Sequence, residues 1–389
     1  LPIYKVIDRS GTSAEKVEGL KHIWGRTDLI PLWVADMDFA TAPFVTDAIR
    51  KRCENEVLGY TGKPDSYYNA IINWVKQRYD LIVTKEVINF VPGIVPGIGM
   101  AMNCFTQKGD KVMIQPPVYH PFAWVTTRNE RTLVINPLRW ENGMYRMDLD
   151  AFREQIKGCK LFILCNPHNP GGVVWTEAEL RAIADICYDE KVLVFSDEIH
   201  ADLTLPPHTH RPFATVSEKA RMNSVTFMSP SKAFNMPGLS ASHALIFNED
   251  LRKRFRIYMD AGELDMGHVF AFLSVEAAYS HGTEWLDQCL AYIQGNIDFV
   301  DEFLKKHAPK IKAIRPEASY LVWLDCRELE LSQKDLNEFF VDKAHLALND
   351  GEMFGKEGIG FMRLNVASPR CIIEKAMKQL ADAYQLYIK

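Results

Sequence analysis

Four short segments of this 389-residue chain place chemically able side chains directly after apolar runs that read as β-strands. They are Pro116-Pro117-Val118-Tyr119, Asn166-Pro167-His168-Asn169-Pro170-Gly171-Gly172, Asp197-Glu198-Ile199-His200 and Ser229-Pro230-Ser231-Lys232-Ala233-Phe234. Open α/β sheets bind ligands at the carboxyl ends of their strands, so an active site is expected at these positions. Among them stand an amine at Lys232, a carboxylate at Asp197, a carboxamide at Asn169 and a phenol at Tyr119. A partly desolvated lysine loses its proton readily and can then act as nucleophile or base. Taken singly, each residue has an ordinary explanation: Lys232 as a surface lysine, Asp197 as a helix cap, the later Arg363 as a surface ion pair. Their joint occurrence, in order and each after a predicted strand, is what points to a site.

The elements that must position these residues follow from periodicity. β-Branched apolar runs predict strands at 111–115, 133–136, 161–165, 192–196, 224–228 and 243–247, alternating with amphipathic stretches that read as crossover helices. The stretch 176–190 opens on Thr176 with Glu179 three residues later, a capping box. After about residue 250 the pattern shifts to long helices, a strand at 319–324, a helix at 336–343, a strand at 361–365 and a terminal helix. The fold class is therefore α/β, with a large domain at 46–283 built on a mostly parallel sheet flanked by helices. Residues 284–389, with the N-terminal segment 1–45 lying across the junction, form a smaller α+β domain.

Bulk properties narrow the partners. With 45 basic and 50 acidic residues, interspersed, nothing draws the chain to nucleic acid or to an anionic membrane surface. No apolar run approaches the roughly 20 residues that cross a bilayer, and no signal peptide is evident at Leu1, which is not an initiator Met. Eight scattered cysteines without a Cys-x-x-Cys pair read as reduced thiols, so a cytoplasmic location is expected. Gly97 and Gly99 lack the third glycine of a dinucleotide loop, and His208 and His210 lack a third ligand and read as a polar loop, so no metal is assigned.

The four segments together resemble the fold-type I pyridoxal-phosphate (PLP) enzymes, the aspartate aminotransferase superfamily of classes I and II, along nearly the whole chain. The resemblance implies that Lys232 carries the cofactor as a Schiff base and that Asp197 holds the pyridine nitrogen protonated. It implies that Asn169 donates to the phenolate oxygen and that Tyr119 stacks on the ring. The Gly-rich entry to a helix at Val91-Pro92-Gly93-Ile94-Val95-Pro96-Gly97 reads as a phosphate cradle, in which the Ile94 and Val95 amides act with Ser229 and Ser231. Tyr60 matches a tyrosine that reaches the phosphate from a second subunit, which implies a homodimer with shared active sites. Arg363 matches the arginine that takes the substrate carboxylate.

Two departures select a branch. Position 240 is Ser where common aminotransferases carry a phosphate-binding Arg, and His200 stands where they usually carry Tyr. Both resemble the carbon–sulfur β-lyases, the cystathionine β-lyases of the maltose-regulon modulator type. So does Pro31-Leu32-Trp33-Val34-Ala35-Asp36-Met37-Asp38-Phe39, which in that branch lies near the substrate carboxylate and makes Ala35 a backbone contact. The implied activity is cleavage of cystathionine or cysteine S-conjugates to thiol, pyruvate and ammonia. An aminotransferase, and a catalytically idle PLP-fold regulatory protein, are the alternatives.

Overall fold

The computed structural model describes residues 5–388. Its large sheet contains β1 (Ile88–Val91), β2 (Lys111–Ile114), β3 (Thr132–Ile135), β4 (Cys159–Cys165), β5 (Leu193–Asp197), β6 (Ser224–Met228) and β7 (Ser242–Leu245). The strands lie in the order β1-β7-β6-β5-β4-β2-β3. Pairing is parallel from β6 through β5, β4 and β2 to β3, and β7 alone runs antiparallel to its neighbours. Residues of β4 to β6 are apolar almost without alternation because helices cover both faces. On one face Val112, Ile163, Phe195 and Phe227 pack with Ile98 and Met102 of the helix Ile94–Phe105. On the other, Phe162, Leu164 and Val194 meet Leu180 and Ile183 of the helix Glu177–Asp189, while Phe90 and Met228 meet Trp74 and Phe272. The Thr176–Glu179 capping box starts the Glu177–Asp189 helix as the sequence predicts.

A second, antiparallel sheet consists of β8 (Lys312–Ile314), β9 (Leu321–Asp325), β10 (Asn349–Asp350) and β11 (Phe361–Asn365), in the order β8-β9-β11-β10. Its strands β8 and β10 were not expected from the sequence, and two expected elements of this region differ. The strand predicted from Ser319 begins at Leu321, because Ser319 has a φ of 80° and its amide turns away to donate to the Leu203 carbonyl. The helix predicted over 336–343 is a short α-helix, Gln333–Glu338, which widens into a π turn over Phe339–Lys343. The N-terminal segment, expected to lie across the junction, contains the helix Glu15–Trp24 and a two-residue strand, Ile30–Pro31, paired with Leu346–Ala347.

The loop from β10 to β11 folds tightly on itself before delivering Arg363. A Cβ on Gly351 would stand 2.2 Å from the Gly358 carbonyl oxygen and 2.3 Å from that of Phe361, both backbone atoms that cannot swing aside. Gly351→Ala should therefore cost about 1–3 kcal/mol, the usual range for overpacking. Gly62→Ala, with open space around its Cβ, should be nearly neutral. Urea denaturation checks this: equal midpoints for the two variants would refute the close approach.

Candidate active site

The segments after β2, β4, β5 and β6 converge, with the start of the Ile94–Phe105 helix, on one cleft of about 800 Å³ including its mouth. Tyr119, Asn169, Asp197, His200, Ser231 and Lys232 line it, as do Ala35, Ile94 and Val95. Parallel strands ending on one edge bring these residues together across more than a hundred positions of sequence.

Lys232 is half-buried, and its Nζ donates to the Ala35 carbonyl. Burial, with the Arg363 charge, lowers its pKa to about 8 although Asp36 and Asp197 oppose the shift. The same carbonyl accepts a 3.0 Å hydrogen bond from the Tyr320 hydroxyl of the small sheet. Residues on either side of Ala35 are gripped from both sheets. Asn365, ending β11, donates from Nδ2 to the Val34 and Asp36 carbonyls at 2.7 Å each. Asn235, three residues past Lys232 with a φ of 52°, donates to the Met37 and Phe39 carbonyls and accepts from the Met37 amide. Arg9 and the fully buried Lys16 neutralise Asp36 and Asp38 at 2.6 and 2.9 Å. Residues 34–39 thus form a strap tying the lysine turn to the small sheet.

Asp197 is buried at the end of β5, where Oδ1 accepts from the Ile199 amide at 3.1 Å. Desolvation pushes its pKa up to about 7, despite the opposing Ile199 hydrogen bond. His200 is held neutral, its pKa lowered to about 3 by burial and by the Lys232 and Arg363 charges. Tyr119 is raised to about 12, chiefly by burial. Arg363 is buried in β11 and lowered to about 10 by desolvation. Its fork donates to Asn169 Oδ1 at 3.1 Å, Asn349 Oδ1 at 2.6 Å and the Trp33 carbonyl at 3.1 Å.

Some expected residues lie elsewhere. The Ser229 hydroxyl donates to the Ala241 carbonyl and accepts from the Ser231 amide, so it shapes the turn, while Ser240 and Ser242 line the cleft. Tyr60 is 99% exposed and borders a separate surface depression with Asp260 and Asp265. His210, expected in a polar loop, is buried with Nε2 2.7 Å from Glu198 Oε2, because a buried carboxylate needs a partner. Sequence reasoning missed Tyr320, Asn235, Asn349 and Asn365. Asn365 alone offered a signal, standing two residues past Arg363 at the end of a predicted strand.

The family model for aminotransferase class I and II matches residues 27–380. The chain belongs to this family. Cystathionine β-lyase PatB of Bacillus subtilis is 37% identical, with 97% of this chain and 98% of PatB covered. Protein MalY of Escherichia coli is 30% identical over 97% of each chain. The structure of cystalysin from Treponema denticola, which contains a PLP cofactor, matches with a TM-score of 0.95 at 33% identity and 98% coverage of both chains.

The donor set of this family member fits PLP. A buried, poorly partnered Asp197 suits a cationic ring nitrogen, since an opposite charge would restore its ionised form. Buried His200 Nδ1 and Arg363 Nε have no partner among the described residues, so polar ligand atoms are wanted there. The start of the Ile94–Phe105 helix, beside Ser231 and Ser240, suits a phosphate. Gly97 lets that helix lie close on the sheet, because a Cβ would meet Val91 Cγ2 at 2.9 Å.

A lowered lysine pKa leaves the amine unprotonated above about pH 8, whereas exposed lysines need a pH near 10.4. In cofactor-free protein, acylation of Lys232 followed by peptide mass spectrometry should therefore rise with a midpoint near pH 8. A midpoint above 10 would contradict the desolvated environment.

Proposed function

We propose that this chain is a PLP-dependent carbon–sulfur β-lyase, converting a cysteine S-conjugate such as cystathionine, with water, to a thiol, pyruvate and ammonia. The observation that carries the reading is Lys232 and Asp197 on one cleft, with the buried Arg363 bonded to Asn169 in its wall, in a chain whose curated relatives include cystathionine β-lyase PatB. When bound, PLP supplies an electron sink for the Cα–H bond of the amino acid.

The chain's own residues do the rest. With PLP bound, Asp197 would keep its ring nitrogen protonated, Asn169 and His200 would hold its phenolate oxygen, and Tyr119 would stack on its ring. The Ile94 and Val95 amides with Ser231 would hold the phosphate, and the Ser229 hydroxyl accepts from the Ser231 amide from behind. Arg363 fixes the substrate carboxylate beside Asn169 and so sets the torsion of the bonds to be broken. Lys232, with its pKa near 8, takes the Cα proton. Tyr119, protonated at neutral pH, gives its proton to the leaving sulfur. A thiolate, whose conjugate acid has a pKa of about 8.5 in cysteine, leaves readily, so elimination outruns transfer of the amino group.

We further propose a homodimer with shared active sites, because Val57, Leu58 and Tyr60 expose a contiguous apolar run of sequence that a second copy would cover. The division at 46–283, against 1–45 with 284–389, is our reading of the two sheets, with the strap as junction. Eight cysteines free of disulfides support a cytoplasmic setting. Among the described residues no helix is long and apolar enough to cross a membrane.

Product analysis tests the activity. L-Cystathionine without added keto acid should yield pyruvate and free thiol in equal amounts, and L-alanine, lacking a leaving group, should yield almost no pyruvate. Keto-acid-dependent amino transfer without thiol release would make the chain an aminotransferase. Bound cofactor without turnover of either kind would make it a regulatory module.

A further inference from the structure

A second cleft, of about 660 Å³ including its mouth, shares Tyr119 with the first. Ala123 and Trp124 of the helix Pro121–Arg128 line it, facing Met353 and Phe354 of the loop that delivers Arg363. That loop is pinned to the Tyr119 segment by a 2.9 Å hydrogen bond from the Val118 amide to the Phe354 carbonyl. The Arg363 guanidinium lies 4.9 Å from the Phe354 ring centre, so this cleft begins where the carboxylate-binding arginine ends. A substrate held by its carboxylate at Arg363, with Cα beside Lys232, would have Tyr119, the lining residue that both clefts share, next to its sulfur.

Apart from three charged residues of the loop, the lining is apolar and aromatic. His120 meets Trp124 edge to face at 4.5 Å and Phe354 at 5.7 Å, and its Nδ1 is buried without a partner among the described residues. Burial holds His120 neutral at pH 7. Trp124 and Met353 remain 45% and 42% exposed, although both sit in a concave site rather than on a convex surface. The charged groups Glu352, Lys356 and Glu357 all belong to the one loop. Rings already set edge to face offer a further ring both edge and face partners.

We infer that this cleft receives the sulfur substituent of the substrate and is built for an aromatic one, as in an S-benzyl conjugate of cysteine. The inference rests on the β-lyase reading and names its substrate class. An aromatic thiol body would bury its ring against Trp124 and Phe354, whereas the zwitterionic tail of cystathionine would find no fixed, buried ion partner among the cleft's described residues.

The test compares pyruvate release by the holoenzyme from S-benzyl-L-cysteine and S-methyl-L-cysteine, in wild type, Ala123→Phe, which fills the cleft, and Trp124→Ala, which removes a ring partner. Binding of benzyl methyl sulfide, an inert fragment that needs no turnover, is followed by tryptophan fluorescence. Wild type should favour the benzyl conjugate in kcat/KM by about tenfold or more, the scale on which apolar pockets discriminate. Both variants should erase most of that preference while changing S-methylcysteine turnover less than about twofold, and the fragment should bind wild type but not Ala123→Phe. Equal effects on the two conjugates, or fragment binding unaffected by Ala123→Phe, would overturn the inference with the lyase reading intact. Pyruvate from neither conjugate would overturn the lyase reading, and fragment binding would still decide what the cleft holds.

Discussion

Taking Lys232, Asp197 and Arg363 out of water together is the constraint on which the rest of the structure depends. Desolvation drives each toward its neutral form: the lysine down to about 8, the arginine to about 10 and the aspartate up to about 7. Buried charges without full pairing are expensive, by several kcal/mol per ion before compensation. Here the shortfall in partners leaves these groups able to pair with a charged ligand. Arg363 spends its fork on two carboxamides and a carbonyl rather than on a carboxylate, so its charge stays available to an anionic ligand. Asp197 lines the cleft with the Ile199 amide as its hydrogen-bond donor, so a cation placed there would restore its ionised form.

Holding such groups apart requires a stiff frame, and both sheets supply it. Strands β4, β5 and β6 place Asn169, Asp197 and Lys232 from one edge, while β11 brings Arg363 from the other sheet. The strap at 34–39 joins the two, since Asn235 and Asn365 grip the backbone on either side of the carbonyl to which Lys232 and Tyr320 both donate. A shift of β11 relative to the large sheet would therefore reach the lysine through hydrogen bonds alone. The Lys16 and Arg9 cluster with Asp36 and Asp38 neutralises the strap's acidic residues where exposure is low.

What could be read from the sequence follows the same division. Lys232, Asp197, Asn169 and Tyr119 were legible because strand ends have a local signature: an apolar run, then a residue able to do chemistry. Six of the seven strands of the large sheet were legible for the same reason, β6 down to its extent, whereas β1 was not read and β4 begins two residues earlier than expected. Tyr320, Asn235 and Asn349 were not, because their work is hydrogen bonding to partners distant in sequence, which leaves no period or motif. Ser229 and Ser231 looked alike in sequence, and only the turn decides that one hydroxyl faces the Ala241 carbonyl. Ser319 and the π turn at Phe339–Lys343 escaped because single left-handed residues and one-residue helix expansions are set by packing, not by pattern.

The account stands or falls on the Asp197 charge, which Asp197→Asn removes while keeping the size and shape of the side chain. Two quantities decide it, measured on the same preparation: bound PLP per chain and the rate of pyruvate formation from L-cystathionine. The account predicts that PLP remains bound, since phosphate and ring contacts are untouched, while pyruvate formation falls about a hundredfold or more, a barrier rise of roughly 2.7 kcal/mol. Turnover within a few fold of wild type, with PLP bound, would contradict it.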